Sequence, residues 1–169
     1  MSAAAKVKPA KHVVYIGLGS NIEPENNLPR AVAALSQHVS VYCISTIWQA
    51  PALGTQGPDF LNAVIKVETG YSAEDLKNRV LRPIEASLGR ERGADKNTPR
   101  TIDLDILIFD GLIDDPHIWD YAHLAVPLAD CHPELVNPVT GQMISQVASE
   151  LKKAINISRT PLNLGNLNK

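Results

Sequence analysis

The chain has 169 residues, of which 44% are hydrophobic and 20% are charged, and its formal net charge is −2. This composition is typical of a globular protein, and the length suits one domain with a buried core. The weak net charge gives no reason to expect binding to nucleic acid or to anionic membranes, and no apolar run approaches the roughly 20 residues that span a bilayer. We therefore expect a cytoplasmic protein in which no obligate protein partner is evident.

The N-terminal residues and the cysteines bear on the cellular compartment. Residues 1–11 are rich in Ala and Lys but lack the apolar segment of a secretory signal, so we expect a frayed tail before a single domain at residues 12–160. Cys43 and Cys131 show no metal-binding or redox spacing. Each is expected to be a buried thiol in a reducing compartment, with a disulfide between them as the alternative.

The first part of the chain predicts three strands and one helix. In chain order these are a strand His12–Leu18 that ends in the turn Gly17–Asn21, a helix from about Glu25, a strand Val39–Trp48 and, after the loop Gln49–Asp59, a strand Phe60–Glu68. The third strand alternates apolar and polar residues from Leu61 to Glu68, which indicates one buried face.

A second helix and a fourth strand follow. Ser72 and Asp75 resemble a capping box, Gly89 marks the helix end, and Pro83 should kink the helix. After the basic loop Arg90–Arg100, the strand Thr101–Phe109 alternates again. Its apolar residues, expected on one face, are Ile102, Leu104, Ile106 and Ile108.

The order β-α-β-β-α-β predicts an α+β fold of the ferredoxin-like type, an antiparallel sheet with helices on one face and the other face open. Beyond Asp110 the pattern weakens, and we expect short turns and then a last helix from about Gln142 to Ala154, as a short C-terminal extension.

Asp103 and Asp105 are the first candidates for chemistry. They lie two apart on a strand, so both carboxylates leave the same face, and two such charges need a cation such as Mg²⁺. Arg90, Arg92 and Arg100 precede them within one short loop. Carboxylate-bound magnesium together with guanidinium groups is what a polyphosphate requires. The alternatives are a charged edge strand and a basic surface loop without function.

Phe60 and Asn62 share the predicted open face with the two aspartates. An aromatic ring can stack on a flat heterocycle, and a carboxamide can pair with its donor–acceptor edge. A half-buried Phe beside a structural Asn is the alternative. The turn Gly17–Asn21 is equally open to two interpretations, because it is neither a Walker loop nor a complete dinucleotide fingerprint.

Taken together, four motifs resemble the family of 6-hydroxymethyl-7,8-dihydropterin pyrophosphokinases of folate biosynthesis. They cover roughly the first two-thirds of the chain. They are GLGSN (Gly17–Asn21), APALGTQGPDFLN (Ala50–Asn62), IEASLGRER (Ile84–Arg92) and PRTIDLDILIF (Pro99–Phe109). The resemblance implies a ferredoxin-like fold and the use of ATP, two magnesium ions and the pterin.

The resemblance also implies three groups of site residues. Asp103 and Asp105 take the metal-ligand positions. The nucleotide positions are Glu85, Arg90, Arg92, Arg100 and the backbone around Ile106, with Arg90 and Arg100 nearest the transferred group and therefore catalytic. The pterin pocket comprises Pro51, Leu53, Phe60 and Asn62. The loops Gln49–Asp59 and Gly89–Thr98 are natural lids.

The chain departs from the family pattern in two places. In the basic loop, Gly93 and Asn97 stand where the family often has a basic and an aromatic residue. Later, the family has a Pro-His signature, an Arg and an aromatic residue. If Pro116–His117 begins that signature, Tyr121 and His123 replace the Arg and the aromatic. If Leu124–Pro127 matches the strand before it, most of the signature is deleted. The C-terminal third is therefore atypical.

Three functions follow from these observations. The first is an active enzyme that transfers diphosphate from ATP to the hydroxyl of 6-hydroxymethyl-7,8-dihydropterin and releases AMP. The second is a catalytically weak relative that binds nucleotide or pterin as a regulator. The third, an RNA-binding ferredoxin-like module, is disfavoured because Asp103 and Asp105 stand where stacking rings and basic charge would be needed.

Overall fold

The computed structural model describes residues 9–54, 56–93 and 99–164. Its strands are β1 (His12–Ser20), β2 (Ser40–Ile44), β3 (Trp48–Ala50), β4 (Phe60–Thr69), β5 (Asp103–Phe109), β6 (Leu112–Ile113) and β7 (Ser158–Arg159). Its α-helices are α1 (Pro24–Ser36), α2 (Ala73–Asp75), α3 (Arg82–Ser87), α4 (Ala122–Cys131) and α5 (Ile144–Ala154), with a short 3₁₀ helix at Pro116–Trp119. Residues 1–8 of the expected tail lie outside the described residues.

All seven strands form one sheet in the order β6-β5-β1-β4-β3-β7, and β2 lies beside β3 along the same edge of β4. Every pairing is antiparallel, and β1 is central because it pairs with β4 on one side and β5 on the other. The mixed helix-and-strand class and the antiparallel sheet expected from the sequence are confirmed. The single strand expected at Val39–Trp48 is instead divided into β2 and β3.

Ser45 explains that division. Its backbone N–H donates to the Val64 carbonyl oxygen at 2.9 Å, and its hydroxyl oxygen accepts from the Val64 N–H at 2.9 Å. The side chain thus replaces a backbone partner at the point where the strand is interrupted, which is typical of a polar residue beside a bulge.

The helical segment Ala73–Ser87 begins and ends as its caps predict. Ser72 accepts a hydrogen bond from the Asp75 N–H at 3.1 Å, and Gly89 follows the helix with φ +84°. The turn before Pro83, Leu76–Leu81, is π-helical. In it the Arg82 N–H donates to the carbonyl oxygen of Lys77, five residues earlier. The wider turn accommodates a proline that has no N–H to donate.

The expected alternation in β5 is correct up to Ile106 and wrong at Ile108. The pairing with β1 shifts by one residue, since Ile16 pairs with Ile106 and Tyr15 with Ile108. This bulge leaves Leu107 as an extra residue, and Leu107 and Ile108 both join the core on the second face.

Helices cover both faces of the sheet, so the expectation that they would lie on one face was wrong. On the first face α1 and the segment Ala73–Ser87 pack against β1, β4 and β5. On the second face the 3₁₀ helix, α4 and α5 pack around Val64 and Leu107. The apolar residues that α4 buries are Ala122, Ala125, Val126, Pro127 and Leu128.

The sequence pattern concealed α4 because Pro127 interrupts it and because Leu124–Pro127 also suits a strand. Burial against the sheet outweighs the lost backbone hydrogen bond in this helix. No helix within the described ranges is both long enough and apolar enough to pass through a lipid bilayer.

The two cysteines are bonded to one another, so the expectation of free thiols was wrong. The disulfide joins Cys43 in β2 to Cys131 at the end of α4, with a Cα–Cα distance of 6.0 Å. This distance lies within the usual range for disulfides. The sequence could not reveal the pair, because 88 residues separate its members and only the packing of α4 on the sheet brings them together.

Removal of this disulfide should lower stability, because the closed loop of 88 residues strongly restricts the unfolded chain. We expect Cys131→Ser to reduce the free energy of unfolding by about 4 kcal/mol relative to the oxidised protein, measured by denaturant titration. A reducing agent should lower the stability of the wild type and leave that of Cys131→Ser unchanged. Equal stability of the oxidised wild type and the variant would contradict the prediction.

Candidate active site

A cleft of about 340 Å³ opens on the second face of the sheet, beside the ends of β1, β4 and β5. Seven of the residues expected in the site line it, and they are Pro51, Leu53, Phe60, Asn62, Arg100, Asp103 and Asp105. Glu85, Arg90, Arg92 and Ile106 are not among its lining residues. The remaining walls come from Gly17, Leu18, Gly19, Tyr121, His123 and Leu124.

Two glycines of the motif GLGSN form the floor of the cleft. Gly19 pairs with Asp103 and Gly17 with Asp105 across the β1–β5 ladder, so β1 places no side chain beside either carboxylate. On the β4 side Gly19 pairs with Asn62. A Cβ atom on Gly19 would lie 3.3 Å from the Asn62 amide oxygen and 3.7 Å from Phe60 Cδ1. Glycine is therefore required here for space rather than for backbone freedom.

Asp103 is held by two arginines. One carboxylate oxygen accepts from Arg90 Nη1 and the other from Arg100 Nη1. The side chains of Arg90 and Asp103 are only 13% and 18% exposed, so water screens this pair weakly. Charge-assisted hydrogen bonds of this kind fix the direction of both guanidinium groups.

Glu85 lies behind the cleft and organises the arginines. Its side chain is 4% exposed, and its oxygens accept from Arg90 Nη1 at 3.2 Å, from Arg92 Nη2 at 2.6 Å and from the Leu104 N–H at 2.8 Å. Burial raises the pKa of Glu85, while the Leu104 N–H and the Arg90 charge oppose that rise. Glu85 thus joins helix α3 to β5 and to two arginines.

Asp105 points into the cleft and is exposed there, without an ion pair to the described residues. Desolvation by the surrounding walls of the cleft, together with the negative charges of Asp103 and Glu85, raises the pKa of Asp105 to about 7. Two adjacent carboxylates of which one is hard to ionise form an arrangement that a cation would stabilise.

Within the described residues no three His, Cys, Asp or Glu side chains come together as a metal site. Asp103 and Asp105 alone still fit magnesium, because Mg²⁺ commonly keeps several waters and binds through one or two carboxylates together with substrate phosphates.

Phe60 and Asn62 project from β4 into the cleft. Asn62 is buried, and its amide nitrogen lies 3.4 Å from the carbonyl oxygens of Trp48 and Phe60. These bonds orient the carboxamide with its oxygen towards Gly19. Pro51 and Leu53 form the exposed lip of the cleft, where Leu53 is 51% exposed.

The wall contributed by the start of α4 is aromatic. His117, Tyr121 and His123 form a stack, with ring centroids 4.6 Å apart for the first pair and 5.5 Å for the second. Burial lowers the pKa of His123, which keeps its imidazole neutral at neutral pH. From the sequence, Tyr121 and His123 stand out only as departures from a family pattern. The signal that could have placed them is the apolar spacing of α4 itself.

The loop between α3 and β5 is described only in part. Gly93 lies within the described residues, whereas Asn97, the other departure in this loop, lies outside them. The loop Gln49–Asp59 is described except for residue 55.

A sequence model of the 7,8-dihydro-6-hydroxymethylpterin-pyrophosphokinase (HPPK) family matches residues 15–133. This chain belongs to the HPPK family. The matched stretch contains every lining residue of the cleft and extends beyond Phe109, where the sequence motifs end.

Two curated relatives illustrate the similarity. The chain is 31% identical to a 2-amino-4-hydroxy-6-hydroxymethyldihydropteridine pyrophosphokinase of Synechocystis sp., over 83% of this chain and 76% of the relative. It is 35% identical to the protein of the same name in Haemophilus influenzae, over 82% of this chain and 90% of the relative.

A solved structure supports the fold. A crystal structure of Plasmodium falciparum HPPK-DHPS matches with a TM-score of 0.67 and 11% identity, over 86% of this chain and 46% of that chain. At this identity the likeness concerns the fold alone. The chain spans less than half the length of that solved protein.

The stability of the protein should depend on the bonds of Glu85 to Arg90 and Arg92. We expect Glu85→Gln to lower the free energy of unfolding by about 2 kcal/mol, because Arg90 and Arg92 lose charge-assisted hydrogen bonds to Glu85 although Arg90 keeps Asp103. Denaturant titration measures this loss. The control is Glu68→Gln, which breaks an exposed pair with Lys11 at 3.6 Å and should change stability by less than about 1 kcal/mol. Similar small losses in both variants would contradict the role given to Glu85.

Proposed function

We propose that the cleft is the site at which this pyrophosphokinase transfers a diphosphate group from ATP to the hydroxyl of 6-hydroxymethyl-7,8-dihydropterin in folate biosynthesis. One observation carries the proposal. A single cleft presents two adjacent carboxylates on β5, an arginine held by one of them, and a ring with a carboxamide on β4, on the other side of β1. These groups suit a polyphosphate on one side and a flat heterocycle on the other.

The reaction needs little covalent chemistry from the protein. The oxygen of the pterin hydroxymethyl group attacks the β-phosphorus of ATP, the bond from that phosphorus to the α–β bridging oxygen breaks, and AMP leaves with that oxygen. The hydroxyl proton is released to solvent. Catalysis therefore rests on holding the two substrates in line and on neutralising the charge of the phosphates.

The proposal assigns the nucleotide side to the arginines. Arg100 faces the phosphates from the cleft, and Arg90 supports it by sharing Asp103. Arg92, 58% exposed while bonded to Glu85, can reach the outer phosphates, and the backbone near Ile106 lies beside the nucleotide. Asp103 and Asp105 would hold Mg²⁺, which supplies charge neutralisation and lowers the pKa of a bound hydroxyl.

The pterin side is assigned to Phe60 and Asn62, with Pro51 and Leu53 at the lip. The Phe60 ring stacks on the heterocycle, and the Asn62 amide oxygen accepts from its amino or ring N–H groups. The neutral imidazole of His123 and the Tyr121 ring lie on the α4 side of the same cleft. They give this pocket a polar aromatic wall.

The core of the fold is part of the proposal. We infer that β1, α1, the edge strands β2 and β3, β4, the segment Ala73–Ser87 and β5 form a ferredoxin-like unit. The order β5-β1-β4 with β2 and β3 at the edge supports this. The 3₁₀ helix, α4 and α5 are then additions that close the second face.

The structure also bears on the competing functions. An RNA-binding sheet face must be open to stacked bases, whereas α4 and α5 cover much of the second face. A regulatory relative would not need Arg90, Arg100 and Asp103 arranged around one cleft, and the relatives named above are pyrophosphokinases. We therefore propose the enzyme rather than the regulatory relative or the RNA-binding module.

The proposal includes the cytoplasmic location expected from the sequence. A cytoplasmic protein of this kind would keep Cys43 and Cys131 reduced, because structural disulfides are rare in that compartment. A disulfide that persists in cells would argue against the cytoplasmic location.

Release of AMP from ATP and Mg²⁺ should depend on added hydroxymethyl-dihydropterin. We expect Asp105→Asn to lower this rate roughly 100-fold or more, because a magnesium ligand is lost where phosphate charge must be neutralised. The substitution removes a like charge beside Asp103, so the melting temperature without Mg²⁺ should stay equal or rise. Asp75→Asn, on the exposed helix start, is the control and should keep the wild-type rate. A normal rate for Asp105→Asn at saturating Mg²⁺ would refute the metal assignment.

Gly19→Ala should weaken the pterin and spare ATP. The new methyl group lies 3.3 Å from the Asn62 amide oxygen, and either that amide or the pterin must move. We expect pterin affinity to fall about tenfold, comparable to the loss of one hydrogen bond. Calorimetric titration with pterin and with a non-hydrolysable ATP analogue separates the two ligands. Gly70→Ala, where nothing lies within 4 Å of the new atom, is the control. Equal loss for both ligands would show that the floor is not specific to the pterin side.

A further inference from the structure

Three parts of the cleft meet at Asn21, the residue directly after β1. Its side chain is buried, with 7% of the residue exposed. The amide oxygen accepts from the Arg100 N–H at 2.7 Å, and the amide nitrogen donates to the Pro58 carbonyl oxygen at 3.3 Å. The Asn21 backbone N–H donates to the Arg100 carbonyl oxygen at 3.1 Å. Asn21 and Arg100 are therefore bonded in both directions.

The two partners of Asn21 belong to opposite sides of the cleft. Arg100 lies on the phosphate side, where its guanidinium group contacts Asp103. Pro58 lies in the loop that supplies Pro51 and Leu53 to the lip of the pterin side. One carboxamide thus bonds both the backbone that carries the arginine and the loop that borders the heterocycle.

We propose that Asn21 is a positioning residue for the diphosphate transfer, which holds the Arg100 backbone and the Pro58 loop in one geometry so that the two substrates meet in line. The proposal rests on the proposed function and extends it, because Asn21 itself lines no part of the cleft. Misplacement of a reacting group by about 1 Å can cost roughly 100-fold in rate, so the position of Arg100 matters as well as its presence.

A carboxamide meets both demands, with its acceptor and its donor on two separate atoms. The bond to Arg100 requires an acceptor, and the bond to Pro58 requires a donor on the same side chain. The carboxylate introduced by Asn21→Asp would keep the first and lose the second, whereas alanine would lose both. Ser20 anchors the same segment independently, because its hydroxyl donates to the Thr101 carbonyl oxygen at 2.6 Å. The segment therefore stays attached to β1 when Asn21 is changed.

Asn27 provides a matched control. It is buried to the same degree, with 5% exposed, and its amide nitrogen donates to the Ile22 carbonyl oxygen at 2.7 Å. It stabilises the same turn from the first turns of α1, and among the described residues its side chain bonds the Ile22 carbonyl oxygen rather than Arg100 or Pro58. A purely structural role for buried asparagines in this turn predicts equal effects at both positions.

The test measures kcat and both KM values for AMP release with wild type, Asn21→Ala, Asn21→Asp and Asn27→Ala, well below the lowest melting temperature of the set. We expect Asn21→Ala to lower kcat roughly 10- to 100-fold. Asn21→Asp should recover kcat to within about threefold of wild type and raise the KM for pterin about tenfold, because the bond to Arg100 is kept while the bond to Pro58 is replaced by repulsion between two oxygens. Asn27→Ala should lower the melting temperature and keep the kinetic constants.

A second measurement does not depend on activity. Hydrogen exchange of the Arg100 amide should accelerate roughly fivefold to tenfold in Asn21→Ala, because that N–H loses its acceptor, and should stay near the wild-type rate in Asn21→Asp and Asn27→Ala. If Asn21→Ala does not fold, Asn21→Asp carries the test through its selective rise in the KM for pterin.

The outcomes are distinct. Wild type without pterin-dependent AMP release would refute the proposed function, and the amide exchange would still decide whether Asn21 holds Arg100. An unchanged kcat in Asn21→Ala, equal losses in Asn21→Ala and Asn27→Ala, or parallel losses in Asn21→Ala and Asn21→Asp would overturn the positioning role. Recovery of kcat by aspartate together with slow Arg100 amide exchange supports it.

Discussion

The cleft depends on one electrostatic constraint, which is that Asp103 must carry its charge between two guanidinium groups. Arg90 reaches it from the end of the helical segment and Arg100 from the start of β5. Glu85 then balances Arg90 from behind and bonds the backbone of β5 at Leu104. Helix, loop and strand are thereby fixed relative to one another by a few charge-assisted bonds that water screens weakly. Asp105, two residues further along, forms no ion pair with an arginine among the described residues.

The period-2 alternation of β4 and most of β5 could be predicted from the sequence, and so could the face that their polar and aromatic side chains share. Asp103 and Asp105 share a face because successive side chains alternate, and Phe60 and Asn62 share it for the same reason. The caps at Ser72 and Gly89 were equally readable, since each acts through local geometry. These features depend on residues that are close in the chain, and they can therefore be predicted from one sequence.

The features that could not be predicted from the sequence depend on contacts between distant segments. The bulge at Leu107 arises from the register between β1 and β5, and the division of the second strand depends on the contact of Ser45 with Val64. Helix α4 carries a proline and gains its stability only by packing on the sheet. The glycines of GLGSN showed no function in isolation, because their role is to leave space opposite carboxylates that lie more than 80 residues later.

The central position of β1 has a consequence for synthesis of the protein on the ribosome. His12 pairs with Thr69, and Gly19 pairs with Asp103. Because β1 is made before both partners, it has one edge unpaired until β4 has been made and the other until β5 has been made. Such an apolar strand with open edges is prone to pair with the wrong partner, and non-local pairing also slows folding. The glycines at positions 17 and 19 weaken the strand on its own. The glycines that leave space in the cleft therefore also lower the tendency of the nascent strand to aggregate before its neighbours are made.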